Sequence, residues 1–299
     1  MREKGVSQEL DMQLLKEVSR SFYLTLRLLP TDTRKVISLG YLLARASDTI
    51  ADSGDIPLKT RKEHLDQFVQ AVSGGEGVDF IHVYAGLKHE GEARLMASLN
   101  EIIPVVLSLN AEENAALYSV VKTITEGQLW DVTYFKESLT QVQCADELEH
   151  YIYCVAGSVG EFWTKVLAMK GVIKTPDLGK MHEAGIRYGK GLQLTNIIRD
   201  IPEDYKNGRV YIPEGGSSLD EIIKESSPWL VKAKEYLESA EHYLTLLPRG
   251  RARLATTLPA RLAQQTLLKL ESSSLEERRG VVKVDRGTVL RELIGSLVR

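Results

Sequence analysis

Apolar residues recur along this chain at helical spacing, as in Leu10, Leu14, Val18 and Phe22 and again in Val36, Leu39 and Leu43. Sustained apolar/polar alternation of the kind a half-buried strand needs is hard to find, so the pattern predicts helix throughout. Glycine, proline or clustered polar residues interrupt it at 53–57, 73–79, 170–176, 207–218, 248–250 and 272–279, which are read as the breaks between helices. None has the composition of an interdomain linker and no solenoid-type repeat occurs, so one compact helical domain over residues 1–299 is expected. The stretches 101–109 and 154–169 are apolar around most of their circumference, which places them in the interior. In the second, Ala156, Gly157, Ser158 and Gly160 interrupt the bulky residues. Such small side chains either let two helices approach closely or line a cavity for a long apolar ligand, packing being the blander reading.

Composition narrows the function classes. With 43% hydrophobic and 26% charged residues among 299, the chain has the make-up of a soluble globular protein long enough to bury a substantial core. The 38 Lys+Arg against 41 Asp+Glu give a formal charge of −3, which excludes a broad positive field for nucleic acid or anionic lipid. An anion would have to be bound locally, by placed cations or by metal. The two cysteines, Cys144 and Cys154, form no close Cys/His cluster of zinc-binding type and suggest a reduced cytoplasmic setting. The first residues, MREKGVSQELDMQLL, lack the apolar core of a signal peptide, and no apolar run approaches the roughly 18 residues of a membrane span.

Chemistry enters with two aspartate pairs. In YLLARASDTIADS, Asp48 and Asp52 are four residues apart and share a helical face, about 6 Å apart along the axis. A solvated charged surface is the bland explanation for one such pair. The flanks Tyr41, Leu42, Leu43, Ala44, Ala46, Ile50 and Ala51 weaken it, because this helix is largely apolar near its carboxylates. In GLQLTNIIRDIPEDYKNGRVYIP, Asn196, Asp200 and Asp204 follow at four-residue steps, Gln193 extends the stripe and Arg199 lies beside it. Pro202, between the two aspartates, predicts a kink or a nearby helix end.

Burying such stripes without neutralising them costs several kcal/mol per ion. Hard divalent cations would neutralise them: Mg2+ is commonly held by one or two carboxylates together with phosphate oxygens. The two pairs are therefore expected to face each other across a metal-bound diphosphate, with the metal favouring departure of that leaving group. The carbocation left behind would need an apolar, aromatic pocket. Phe22, Tyr41, Tyr151, Phe162 and Trp163 are candidates, each individually read as core before catalytic.

Five ordered segments resemble the squalene and phytoene synthases, which join two prenyl diphosphates head to head. They are VSRSFYLTLRLLP (18–30), YLLARASDTIAD (41–52), YIYCVAGSVG (151–160), QLTNIIRDIPED (193–204) and GVVKVDRG (280–287). The resemblance implies an all-α, single-domain class I isoprenoid synthase fold with helices around a central apolar cavity. It implies that Asp48, Asp52, Asp200 and Asp204 hold magnesium, with Asn196 close to the metal or diphosphate. Ser19, Ser21, Tyr41 and Arg45 are similar to residues surrounding a diphosphate, and Gln193 and Arg199 match polar positions of the second motif. Tyr151 matches a tyrosine that assists proton removal and cation control, the bland alternative being a core phenol.

The implied reaction ionises one diphosphate, forms a cyclopropylcarbinyl diphosphate with loss of a proton, and then ionises and rearranges that intermediate. NADPH reduction gives squalene; proton loss gives dehydrosqualene or phytoene. YLLARASDT and GVVKVDRGTV look closer to squalene synthases, in which Lys283 and Arg286 would approach NADPH, although Asp285 stands where a second basic residue is expected. The expected partners are prenyl diphosphates and no nucleic acid. The expected location is cytoplasmic without an anchor, with peripheral contact at the inner membrane open as a route for a greasy substrate. A reading of another class, a non-catalytic assembly-factor relative, fits less well with four retained aspartates.

Overall fold

The apolar period is realised as helix after helix, and prolines and caps mark where each begins. The computed structural model describes residues 12–19, 22–135, 139–173, 177–285, 287 and 292. Two compact units emerge, Met1–Leu129 and Trp130–Arg299.

In the first, α1 (residues 12–19), α2 (Phe22–Leu28), α3 (Thr31–Asp52), α4 (Leu58–Val72), a 3-10 turn (Phe80–Tyr84), α5 (Glu90–Ala97) and α6 (Leu99–Leu107) lead into α7 (Ala111–Tyr134). Pro30 and Pro57 immediately precede α3 and α4, where a residue with no N–H costs the helix nothing. Along α3, Val36, Leu39, Leu43, Ala46 and Ile50 form the buried face, and the helix packs against α2, α4 and α5. Covering a side chain such as Leu43 or Ile50, both fully buried, contributes about 2 kcal/mol. The Arg61 guanidinium of α4 donates to the Ala51 carbonyl, satisfying one of the orphan acceptors at the end of α3 beside Asp52.

The second unit holds β1 (Thr140–Gln141), α8 (Ala145–Ile152), a π-turn (Tyr153–Gly157), α9 (Ser158–Met169), α10 (Leu178–Lys206), β2 (Arg209–Val210), α11 (Leu219–Glu225), α12 (Ser227–Leu246), α13 (Arg251–Ser272) and α14 (Leu275–Arg278). The helix α10 is the hub, packed against the π-turn, α9, α12 and α13. It starts where the Asp177 carboxylate accepts from the Lys180 amide at 3.2 Å. The small residues of 156–160 serve close approach here: a Cβ on Gly160 would lie 1.9 Å from the Gly185 carbonyl oxygen, and one on Gly189 would lie 2.1 Å from that of Ala156.

The apolar stretch 154–169, expected as one helix, is thus a π-turn followed by α9. Pro202 lies inside α10, which ends one turn later at Lys206. The 272–279 break contains the short α14, started by a Ser274/Glu277 capping box. β1 and β2 pair in parallel with Thr140 opposite Arg209 and Gln141 opposite Val210, a pair too short for alternation to announce it. Among the described residues, no helix is long and apolar enough to cross a membrane.

Candidate active site

Helical spacing on α3 lines up Tyr41, Arg45, Asp48 and Asp52 along one face. The Tyr41 ring stacks on Phe22 with centroids 5.3 Å apart, and its hydroxyl donates to the Val18 carbonyl at 3.3 Å. Arg45 bridges two carboxylates, Asp48 on its own helix and Glu92 on α5. Burial pushes the Asp48 carboxyl up to about 6, aided by the charge of Asp52 and opposed by Arg45. Water still reaches this side chain, which is 37% exposed, while Asp52 is exposed. The Ser19 hydroxyl is buried and donates to the Leu15 carbonyl.

The second stripe lies on α10. Gln193, Asn196, Arg199, Asp200 and Asp204 are all half-buried. Arg199 grips Asp200 with two donors, its Nε at 2.7 Å from Oδ1 and its Nη2 on Oδ2. The first aspartate of each motif is therefore neutralised by an arginine of its own helix. Asp204 makes no hydrogen bond or ion pair among the described residues. Burial and then the charge of Asp200 push its carboxyl up to about 7, against the pull of Arg209.

Tyr151, at the end of α8, is 8% exposed. Its ring lies between Trp130 and Tyr211, each with its centroid 5.2 Å away. Burial, followed by the negative charge of Asp131, drives the phenol far above its ordinary value, so its oxygen keeps its proton. Behind it, the buried Asp131 of α7 accepts from the Tyr211 hydroxyl and from Arg209 Nη1 at 3.1 Å. Asp204, Arg209 and Tyr211 line one small cavity of about 10 Å³, room for a single water.

Several of these groups carried no sequence signal. Glu92, Asp131, Arg209 and Tyr211 were not expected at a site; Asp131 is a lone carboxylate in the apolar run LWDVTYF, and Arg209 and Tyr211 fall in a stretch read as a break. On α7, Thr125 Oγ1 and Gln128 Oε1 are buried without a partner, a costly state unless water or a ligand reaches them. Other expected residues stand elsewhere. Phe162 and Trp163 are core residues of α9, with Trp163 Nε1 donating to Thr256 at 3.1 Å. Lys283 is exposed, and its carbonyl accepts from Lys269 Nζ at 2.5 Å. Ser21 and Arg286 lie outside the described residues.

Among the described residues, no group of three or more His, Cys, Asp or Glu side chains could by itself hold a metal ion. The donor set nonetheless fits Mg2+. Asn196, Asp200 and Asp204 are hard oxygen donors at helical steps, and Mg2+ needs few protein ligands when phosphate oxygens complete its shell.

Known proteins share both the sequence and the fold. The chain is 28% identical over 241 residues to a 4,4'-diapophytoene synthase of Staphylococcus haemolyticus, covering 78% of this chain and 72% of that protein. It is 27% identical over 202 residues to a squalene synthase of Schizosaccharomyces pombe, covering 67% of this chain and 43% of the relative. With the squalene synthase of Eremothecium gossypii it shares 26% over 259 residues, covering 85% and 56%. The chain thus spans about half the length of these two squalene synthases. Among solved structures, TcSQS in complex with a ligand superposes with a TM-score of 0.79 at 21% identity, covering 96% of this chain and 85% of that one. A dehydrosqualene synthase with a ligand gives 0.68 at 19%, covering 99% and 97%. The squalene synthase HpnC from Alicyclobacillus acidocaldarius gives 0.63 at 15%, covering 92% and 95%. These likenesses establish the all-α isoprenoid synthase fold. The squalene/phytoene synthase family model matches residues 15–219, a span that contains both aspartate pairs and Tyr151. The chain belongs to the squalene/phytoene synthase family of prenyl-transferring enzymes.

Proposed function

We propose that the chain condenses two farnesyl diphosphates head to head, through presqualene diphosphate, to squalene. The observation that carries this reading is the pairing of each Asp-x-x-x-Asp stripe with an arginine of the same helix: Arg45 on Asp48 and Arg199 on Asp200. Asp48, Asp52, Asp200 and Asp204, with Asn196, would hold Mg2+. The metal supplies Lewis-acid stabilisation of the negative charge that develops on the departing diphosphate. Arg45 and Arg199 hold the carboxylates in place before substrate arrives and can turn their donors to diphosphate oxygens when it does, since guanidinium matches either anion in bidentate fashion. Ser19, Tyr41 and Gln193 would complete the polar surround.

In the first stage C1 of the ionised substrate bonds to the double bond of the second, and a proton leaves as the cyclopropane closes. Tyr151 keeps its own proton at neutral pH, so the released diphosphate is the better acceptor. The phenol then acts as a hydrogen-bond donor, within an aromatic wall that Trp130 and Tyr211 complete. In the second stage the remaining diphosphate leaves, and NADPH would supply the hydride that quenches the rearranged cation. Lys283, exposed and cationic, is the described residue proposed to meet that cofactor.

Incubation with farnesyl diphosphate and Mg2+, with and without NADPH, tests the product. Squalene is expected only with NADPH, and a product spectrum unchanged by NADPH would overturn the squalene assignment in favour of dehydrosqualene. C15 and C20 diphosphates in competition test chain length: a C30 product is expected, and a C40 product would turn the reading toward phytoene.

A further inference from the structure

We propose that Asp131 is a positioning residue that holds Arg209 away from Asp204 and so leaves that carboxylate open to a divalent cation. The inference rests on the reading of Asp200 and Asp204 as metal-holding residues. Arg209 and Asp204 line the same small cavity, so the guanidinium is the obvious counter-ion for a carboxylate that lacks one. It is engaged with Asp131 instead, at 3.1 Å. Among the described residues, three features keep it there. The β1–β2 pair fixes the Arg209 backbone opposite Thr140, with the Thr140 amide on the Gly208 carbonyl and the Val142 amide on the Val210 carbonyl, each at 2.9 Å. Asp131 is 6% exposed, so its charge needs a partner more than a wet carboxylate does. Tyr211, the residue just past β2, donates to the other oxygen of Asp131 and fixes its orientation.

Without the charge at position 131, Arg209 would turn to Asp204, and a cation would then have to displace an ion pair rather than water. Arg199 already occupies Asp200, so both α10 aspartates would be blocked at once.

Binding of Mn2+ alone to the full chain, followed by the loss of its free EPR signal without diphosphate, reads the effect directly; Mn2+ shares the oxygen-ligand preference of Mg2+. Asp131→Asn should weaken Mn2+ affinity about tenfold, the scale usual for groups that support metal ligands, and Asp131→Asn with Arg209→Gln should return to within about twofold of the parent. Tyr211→Phe, which removes the hydroxyl that orients Asp131 but leaves its charge beside Arg209, should cost less than Asp131→Asn, about two- to threefold. Unchanged binding in Asp131→Asn overturns the proposal, as does a double variant as weak as the single one or an equal loss in Tyr211→Phe. Should Asp131→Asn fail to fold, Arg209→Gln alone carries the comparison: binding at least as tight as the parent supports the proposal, and weaker binding overturns it. Asp204→Asn separates the two levels. If the parent binds no Mn2+, or Asp204→Asn binds as the parent does, the metal reading fails and this inference with it. If binding is lost in Asp204→Asn but indifferent to Asp131→Asn, this inference alone fails.

Discussion

Asp204 and Asp48 hold carboxyls pushed up to about 7 and about 6, burial first and a neighbouring aspartate second. A folded-state value above that of the unfolded chain means that protonation favours the fold: the stability it supplies is complete at low pH and is lost as pH rises through the raised value. At pH 8 both side chains are therefore charged at a cost to the metal-free protein. Asp204→Asn should raise the melting temperature of metal-free protein by a few degrees at pH 8, and by less as pH falls below 7, where the parent carboxyl takes up its own proton. Thermal melts of both proteins across pH 5 to 8 check this; a variant less stable than the parent at pH 8 contradicts it. By the same sign, Mg2+ would compete with protons at these positions and bind more weakly at pH 6 than at pH 8. The aspartates themselves were legible in the sequence, because four-residue spacing and apolar flanks survive without coordinates. Asp131 and Arg209 were not: a single charge in an apolar run has no spacing partner, and only the β1–β2 pairing brings residues 78 positions apart into contact.

Among the elements, α10 carries the most consequence. Its register against the π-turn and α9 depends on Gly160 and Gly189, and that register sets where Asn196, Asp200 and Asp204 stand relative to Tyr151. A methyl at position 189 meets backbone of Ala156 rather than a side chain that could turn aside. Gly189→Ala should therefore cost about 1 to 3 kcal/mol, the range usual for overpacking, and lower activity along with stability. Urea unfolding measures the first and turnover the second; a variant as stable as the parent would mean the helices can separate without penalty. Helix existence and most breaks could be read from periodicity and from glycine and proline. The π-turn could not, since one extra residue in a turn leaves the apolar pattern of YIYCVAGSVG almost unchanged. The small-residue stretch was ambiguous in sequence between packing and cavity, and the position of the Gly185 and Ala156 carbonyls decides for packing.

For the chain as a whole, helical periodicity indicated the fold class and the five ordered motifs indicated the family. The family match over 15–219 and the superposition on squalene and dehydrosqualene synthase structures support both. The product is a finer matter than fold or family, because relatives named for squalene and for diapophytoene resemble the chain to nearly the same degree, 27% and 28%. What distinguishes those outcomes is the fate of the last cation, and that depends on a hydride donor rather than on the aspartate stripes. In the proposed reaction the stripes, through the metal, determine whether any ionisation occurs. The most direct measurement is therefore diphosphate release and product formation from farnesyl diphosphate and Mg2+ by the parent chain beside Asp48→Asn and Asp204→Asn. A C30 product with two diphosphates released per molecule is expected in the presence of NADPH, abolished by chelation of the metal and reduced at least about a hundredfold in both variants. Absence of any C30 product from the parent, or variants that turn over like it, would contradict the account.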